Sequence, residues 1–254
     1  MNFQNYFKNK TVLITGSGRG IGLEIAKEYL NYGAKVIALD LNIKKLLYLK
    51  KRYKNKILTE KLDLSNLDNL KNYLKKLPKN FKNINILINN AGMKSSKNLV
   101  ETDINKLNNL INFNSIKVIE ISRILMNFSL KKNKGRIINI GSSLSSHGAV
   151  FRAQGGGSDY SVTKSMVHII TKIMAYECAK FKINVNAIAP GIIQTPMHAR
   201  PMRETEKKHL DKIPLNRIGL PKDISGTALF LGSNYSSYIT GQIIHINGGM
   251  LMIG

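Results

Sequence analysis

The sequence predicts an α/β fold: a doubly wound, parallel, seven-stranded sheet with helices on both faces (Rossmann-like), in a single domain spanning residues 1–254. Three observations predict it. Short apolar, β-branched runs alternate with longer amphipathic segments along the whole chain. The runs are nearly continuously hydrophobic, as strands covered on both faces must be. The first run also ends in a glycine-rich turn, Thr15-Gly16-Ser17-Gly18-Arg19-Gly20-Ile21-Gly22, that opens directly into a helical pattern.

In chain order, the strand candidates are 11–15, 35–39, 57–61, 84–88, 136–140, 184–188 and 243–246. Each hands over to a distinctive exit. The first meets the glycine turn and the second runs into Asp40. The third leads to Asp63-Leu64 and the fourth to Asn89-Asn90-Ala91-Gly92. The fifth meets Gly141-Ser142-Ser143, the sixth Pro190-Gly191 and the seventh Asn247-Gly248-Gly249. Helix candidates at 21–32, 43–54, 67–77, 103–130, 159–180 and 221–231 fill the intervals. Strand–helix alternation of this length implies right-handed crossovers and parallel pairing. Two segments break the rhythm. Residues 144–158 carry Gly155-Gly156-Gly157 and enter a helix, and residues 194–216 carry Pro196, Pro201 and Pro214 and are expected to form a mobile substrate lid.

The bulk numbers exclude several classes. With 43% hydrophobic residues in 254, the chain suits one large domain with a real core. No apolar run reaches the ~18 residues needed to span a bilayer, and residues 1–10 are polar, without the apolar stretch of a secretory signal. The single cysteine, Cys178, excludes an internal disulfide and a Cys-rich metal site, and reads as a buried inert thiol. The five histidines lack metal-ligand spacing, so no metal is expected. Together these favour a reducing, cytoplasmic setting. The net charge of +24 has two readings, a solvated lysine-rich surface or a partner that senses the field. One cluster is Lys44, Lys45, Lys50, Lys51, Arg52, Lys54 and Lys56; another is Lys71, Lys75, Lys76, Lys79 and Lys82.

The glycine turn admits close approach of backbone to a phosphate, and the helix behind it offers unpaired N–H groups and a positive dipole end. The spacing is G-x-x-x-G-x-G, because Ile21 stands where the last glycine of G-x-G-x-x-G would fall. A plain turn is the alternative. Asp40, 24 positions after Gly16, sits at the end of the second strand. An acid there holds both ribose hydroxyls and repels a 2′-phosphate, which argues for NAD over NADP. Arg19 pulls the other way, and a strand-end Asp capping the next helix is the alternative.

Tyr160 and Lys164 are the candidate chemical pair, with an exposed Lys beside a half-buried Tyr as the alternative reading. Four residues apart on one helix, they share a face. A phenol ionises near pH ~10, and a nearby ammonium favours the phenolate. Lowering that value by about 3 units takes roughly 4 kcal/mol of differential interaction, which a close, partly desolvated pair can supply. The product is an acid–base group usable at neutral pH.

With Thr15–Gly22, Asn89-Asn90-Ala91-Gly92, Asn114, Ser142 and Tyr160/Lys164 in this order, nearly the whole chain resembles the short-chain dehydrogenase/reductase family. The resemblance implies that Gly16, Ser17, Arg19, Gly20 and Ile21 line the dinucleotide phosphates. It implies that Asp63 and Leu64 meet the adenine, and that Asn90, Ala91 and Gly92 lie beside the adenosine ribose. Pro190, Gly191, Ile193 and Thr195 fall in the segment that grips the nicotinamide carboxamide. Tyr160 would exchange a proton with the substrate oxygen. Lys164 would tune Tyr160 and hold the nicotinamide ribose, Ser142 would stabilise the developing oxyanion, and Asn114 would hold a water that links Lys164 to solvent. Ser143 is a rival for the role of Ser142.

One departure stands out. Ser142 and Tyr160 lie 18 positions apart, more than is usual for the family, and the extra residues fall in 144–158. That makes His147, Phe151, Arg152 and Gln154 candidate substrate contacts, Arg152 being suited to a carboxylate or phosphate. The run Tyr238-Ile239-Thr240-Gly241-Gln242 followed by His245-Ile246-Asn247-Gly248-Gly249-Met250 is similar to bacterial 3-oxoacyl-carrier-protein reductases. Those enzymes meet an acidic carrier through basic residues near the pocket, for which Lys131, Lys132, Lys134, Lys180 and Lys182 are candidates. Asp40 and the long segment point instead to a NAD-linked sugar, polyol or hydroxy-acid dehydrogenase. A non-enzymatic dinucleotide- or nucleic-acid-binding protein is a third class, against which the Ser142/Tyr160/Lys164 set argues. The resemblance also implies a homotetramer or homodimer built on the helices near 103–130 and 159–180.

Overall fold

The computed structural model describes residue 4 and residues 6–95, 97–146, 157–195 and 210–253. Seven strands form one sheet: β1 (Thr11–Thr15), β2 (Lys35–Asp40), β3 (Ile57–Lys61), β4 (Ile84–Asn89), β5 (Arg136–Ile140), β6 (Asn184–Pro190) and β7 (Ile243–Ile246). Their order is β3-β2-β1-β4-β5-β6-β7, and every pair is parallel. The order reverses between β1 and β4, and the crevice at the carboxyl ends of those two strands is where such sheets bind ligands.

The side-chain period of two splits the core into layers. Leu13, Ile37, Leu87, Ile137 and Val185 face one side, packed under Leu70, Ile121 and Val167. Val12, Ile14, Val36, Ala38, Ile88, Ile138 and Ile188 face the other, packed under Ile25, Tyr29 and Ile224. The helices supplying these covers are α1 (Gly20–Asn31), α2 (Leu46–Tyr53), α3 (Leu67–Lys75), α4 (Ile104–Ile111), α5 (Lys117–Leu125), α6 (Ser158–Ala179) and α7 (Pro221–Gly232). α4 and α5 are two parts of one rod. A π-helical turn at Asn112–Ile116 joins them, a second at Met126–Leu130 follows α5, and the rod ends at Lys131–Asn133.

Among the described residues no helix is long and apolar enough to cross a membrane. Cys178 is buried with its sulfur 3.5 Å from that of Met126, and burial pushes its thiol pKa up. Of the expected lid, only residues 194, 195 and 210–216 are described.

Candidate active site

The glycine turn and the Asn-Asn-Ala-Gly turn are locked together. Thr15 Oγ1 accepts from the backbone N–H of Asn90 at 3.0 Å and of Ala91 at 3.1 Å. Asn90 Nδ2 donates to the carbonyls of Thr15 at 3.1 Å and Gly16 at 2.7 Å. Gly16 has φ +65°, and a Cβ there would come within 2.7 Å of Ala91 Cα, so the turn closes only with glycine. Behind it α1 begins at Arg19 with no side-chain cap and no acid in its first turn. Its leading N–H groups therefore face the crevice without an internal acceptor, the arrangement that suits a phosphate. Arg19 is exposed.

Asp40 ends β2 against this turn. Its Oδ2 accepts from Gly18 N–H and its Oδ1 from Asn42 N–H, each at 2.8 Å. A carboxylate has about four acceptor positions, so capacity remains for two hydroxyls. Asp63 is exposed, and the Ser65 N–H at 2.8 Å holds its carboxyl below the usual range. Leu64 is buried in the core. Ile193 is likewise buried and pairs with Gly219 in an isolated bridge, and Thr195 is half-buried beyond it. Pro190 closes β6, and Gly191 donates to Ile246 O at 2.8 Å.

The catalytic candidates meet where β5 ends under α6. Lys164 is buried, and its Nζ donates to Ile140 O at 2.7 Å while lying 5.8 Å from the centre of the Tyr160 ring. Desolvation lowers its pKa to about 8. Tyr160 is half-buried, one turn before it. Asn114 is fully buried in the first π turn, whose extra residue aims it across to the loop after β4. It accepts from Met93 N–H at 2.7 Å and donates to Met93 O at 2.9 Å and Thr163 Oγ1 at 3.1 Å. A Cβ on Gly92 would stand 3.5 Å from Asn114 Oδ1 and 3.7 Å from Lys164 Nζ, so those two atoms share one neighbourhood.

The two serines separate cleanly. Ser142 Oγ accepts from Leu144 N–H at 3.2 Å, and no acceptor among the described residues takes its own O–H. Ser143 Oγ is tied down on the other side: it donates to Ala189 O at 3.0 Å and accepts from Asn247 Nδ2 at 3.3 Å. His147, Phe151, Arg152 and Gln154 lie outside the described residues.

Two contributors escaped the sequence reading. Asp159 is buried beside Tyr160, accepting from Tyr160 N–H at 2.7 Å and from Ser95 Oγ, which pins the loop after Gly92 to the start of α6. His168 is buried one turn beyond Lys164. An acid next to a tyrosine and a histidine on an apolar helix face give no signal without the neighbours that bury them.

A family description of enoyl-(acyl carrier protein) reductase matches residues 16–251. The chain belongs to the short-chain dehydrogenase/reductase family. Members of that family are nicotinamide-dependent oxidoreductases, and this chain is one of them. It is 36% identical over 245 residues to 3-oxoacyl-(acyl-carrier-protein) reductase FabG of Buchnera aphidicola subsp. Schizaphis graminum, covering 96% of this chain and 98% of that one. A short-chain dehydrogenase of Leptospira borgpetersenii, solved with NAD+ bound, superposes with a TM-score of 0.89 at 31% identity, covering 99% and 96%. A provisionally described gluconate dehydrogenase of Agrobacterium tumefaciens superposes with a TM-score of 0.88 at 27% identity, covering 99% of both chains.

Proposed function

We propose that this short-chain reductase converts the ketone of a 3-oxoacyl thioester, presented on an acidic carrier protein, to an alcohol with NADH. The observation that carries the reading is the junction of β5 and α6, where a desolvated Lys164 lies beside Tyr160 and is bonded two residues before Ser142.

The residues present fit a dinucleotide. The uncapped start of α1 and the turn of Gly16, Ser17, Arg19, Gly20 and Ile21 would hold the pyrophosphate, and Asn90, Ala91 and Gly92 would border the ribose. Asp63 and Leu64 would flank the adenine, and Pro190, Gly191, Ile193 and Thr195 the carboxamide. Leu64 and Ile193 would act through backbone, because their side chains are in the core. Asp40 favours NAD by offering its remaining lone pairs to the ribose hydroxyls and its charge against a 2′-phosphate. When bound, the nicotinamide supplies the hydride. Tyr160 gives its proton to the substrate oxygen, and the Lys164 cation makes that tyrosine the stronger acid. Ser142 donates its O–H to the oxygen as charge develops there. Asn114 anchors Met93 and seats a water leading from Lys164.

The carrier reading rests on the relatives and on charge. Lys131 and Lys180 stack on the Phe181 ring, 4.5 and 5.4 Å from its centre, so the two helix ends do merge into one basic patch. Next to it a cleft of about 490 Å³ is lined by Lys10, Lys134, Arg136 and Lys182, with no acid among its described walls. This patch lies at the far end of α6 from Tyr160, roughly 30 Å away at the helical rise of about 1.5 Å per residue. Ile169, Ile173 and Tyr176 form an exposed apolar stripe along α6. In the homodimer or homotetramer proposed, antiparallel packing of two protomers along that stripe would bring the patch of one to the catalytic end of the other.

A second reading, a NAD-linked sugar, polyol or hydroxy-acid dehydrogenase, is favoured by Asp40 and by the likeness to the Agrobacterium protein. One assay separates them: acetoacetyl-carrier protein, acetoacetyl-coenzyme A, gluconate and a polyol panel, each with both nicotinamide cofactors, followed by nicotinamide absorbance. Faster NADH oxidation on the carrier-bound ketone supports the first reading. NAD reduction by a sugar acid with no ketone turnover supports the second.

A further inference from the structure

We propose that His168 is a positioning residue that sets the orientation of Ser142. The inference rests on the role given to Ser142 above and adds the device that holds it. His168 projects from α6, one turn after Lys164, into the space under the β5 exit. The fit is close: a Cβ on Gly141 would fall 2.4 Å from His168 Nε2, so the ring packs directly on the backbone of the residue before Ser142.

The ring acts through Ser145. Ser145 Oγ lies 3.2 Å from His168 Nδ1 and 3.1 Å from Nε2. The same hydroxyl donates to Ser142 O, and the Ser145 N–H reaches that carbonyl at 3.2 Å. A hydroxyl has one hydrogen, and here it is committed to Ser142 O. Ser145 Oγ must therefore accept from an imidazole N–H. The chain runs His168 N–H to Ser145 O–H to Ser142 C=O. From below, Ser165 Oγ lies 2.8 Å from Ser145 O and 2.9 Å from Ser161 O, with one hydrogen to serve either. Fixing the Ser142 carbonyl fixes the backbone on which its side chain stands, and the Leu144 N–H at 3.2 Å then holds Oγ in place. The residue after Ser142, Ser143, is gripped from the opposite side by Ala189 O and Asn247, with His245 Nδ1 at 3.4 Å.

The groups facing the ring are Ser145 and Gly141 from the β5 exit, His245 on β7 (ring centres 6.1 Å apart, edge to face), and Lys164 and Lys172 on its own helix. None is acidic. Burial, then His245, Lys164 and Lys172, lower the pKa of His168 to about 4, so at neutral pH it is an uncharged donor that leaves Lys164 as the cation of the site.

The test is a double-mutant cycle with acetoacetyl-coenzyme A and NADH, using His168→Leu, His168→Gln and Ser142→Ala, with NADH affinity measured by fluorescence. In the wild-type background, His168→Leu is expected to lower kcat about 10- to 100-fold, the scale of a small misplacement of a catalytic group. NADH affinity should stay within about twofold, and His168→Gln, which keeps an N–H donor, should recover most of the rate. In the Ser142→Ala background, His168→Leu should cost almost nothing further. If Ser142→Ala is crippled and His168→Leu still costs its full factor on top, His168 does not work through Ser142 and the inference falls while the role of Ser142 stands. If Ser142→Ala keeps full kcat, the Ser142 role falls and takes the inference with it. Should His168→Leu not fold, Ser145→Ala interrupts the same chain and is read by the same cycle.

Discussion

Lys164 Nζ donates to the Ile140 carbonyl at 2.7 Å, so the buried ammonium of α6 is fastened to the strand that delivers Ser142. One bond thus sets the spacing between the residue proposed to tune the phenol and the residue proposed to steady the substrate oxygen. It also gives Lys164 only a neutral partner, so desolvation dominates and its pKa falls to about 8.

A pH dependence follows. In the proposed mechanism Tyr160 works beside the Lys164 cation, which is lost as pH rises through about 8. Ketone reduction by the free enzyme, read as kcat/KM, is therefore expected to fall above that pH, by about tenfold per unit once the cation is the minor form. Stability moves the other way. From about pH 8 to 10.5 the unfolded chain holds a lysine proton that the native chain has released, so the burden of burying Lys164 shrinks across that window. Lys164→Met should be inactive yet more resistant to urea at pH 7, by on the order of 1–2 kcal/mol, with a smaller gain at pH 10.

Ser142 and Ser143 should separate by phenotype. Ser142→Ala removes a hydroxyl whose hydrogen is uncommitted and is expected to lower kcat by about 100-fold with little change in unfolding midpoint. Ser143→Ala removes a donor from the buried Ala189 carbonyl on β6 and an acceptor from Asn247 just past β7, and is expected to cost about 1–3 kcal/mol of stability. Paired thermal melts and rate measurements on the two variants decide which serine is which.

How much of this was legible beforehand is uneven. All seven strands could be read, because each is a β-branched run ending in a turn with its own chemistry. β2, β4 and β6 run slightly longer than expected since Asp40, Asn89 and Pro190 continue the extended backbone. The helix expected at 43–54 is shortened to Leu46–Tyr53: Asn42 Oδ1 takes the Lys44 N–H at 3.1 Å, and Ile43 closes a turn instead. The π turns in the rod were invisible, since Asn112–Ile116 has an ordinary helical composition and the extra residue follows from what Asn114 reaches across the fold. The order of the motifs singled out Tyr160, Lys164 and Asn114, which the structure brings into one neighbourhood and whose roles are proposed. Asp159, Ser145 and His168 were not, since their significance comes from contacts with residues far away in the chain.

Cofactor choice has its own test at Asp40. Asp40→Asn removes the charge and keeps one acceptor oxygen, enough for either the Gly18 or the Asn42 N–H but not for both. Measured as kcat/KM for NADPH against NADH, the preference for NADH is expected to relax by about tenfold or more, as one unit of repulsion near a 2′-phosphate implies. An unchanged ratio would move the determinant to Arg19.

The most direct test of the whole account is Tyr160→Phe, which removes one oxygen and little else. With acetoacetyl-carrier protein as substrate, kcat is expected to fall by about 10²- to 10⁴-fold while NADH binding, measured by fluorescence titration, stays within about threefold. A variant that binds NADH normally and still reduces the ketone at near wild-type rate would contradict the assignment of Tyr160 as the proton donor, and with it the chemistry built on Lys164 and Ser142.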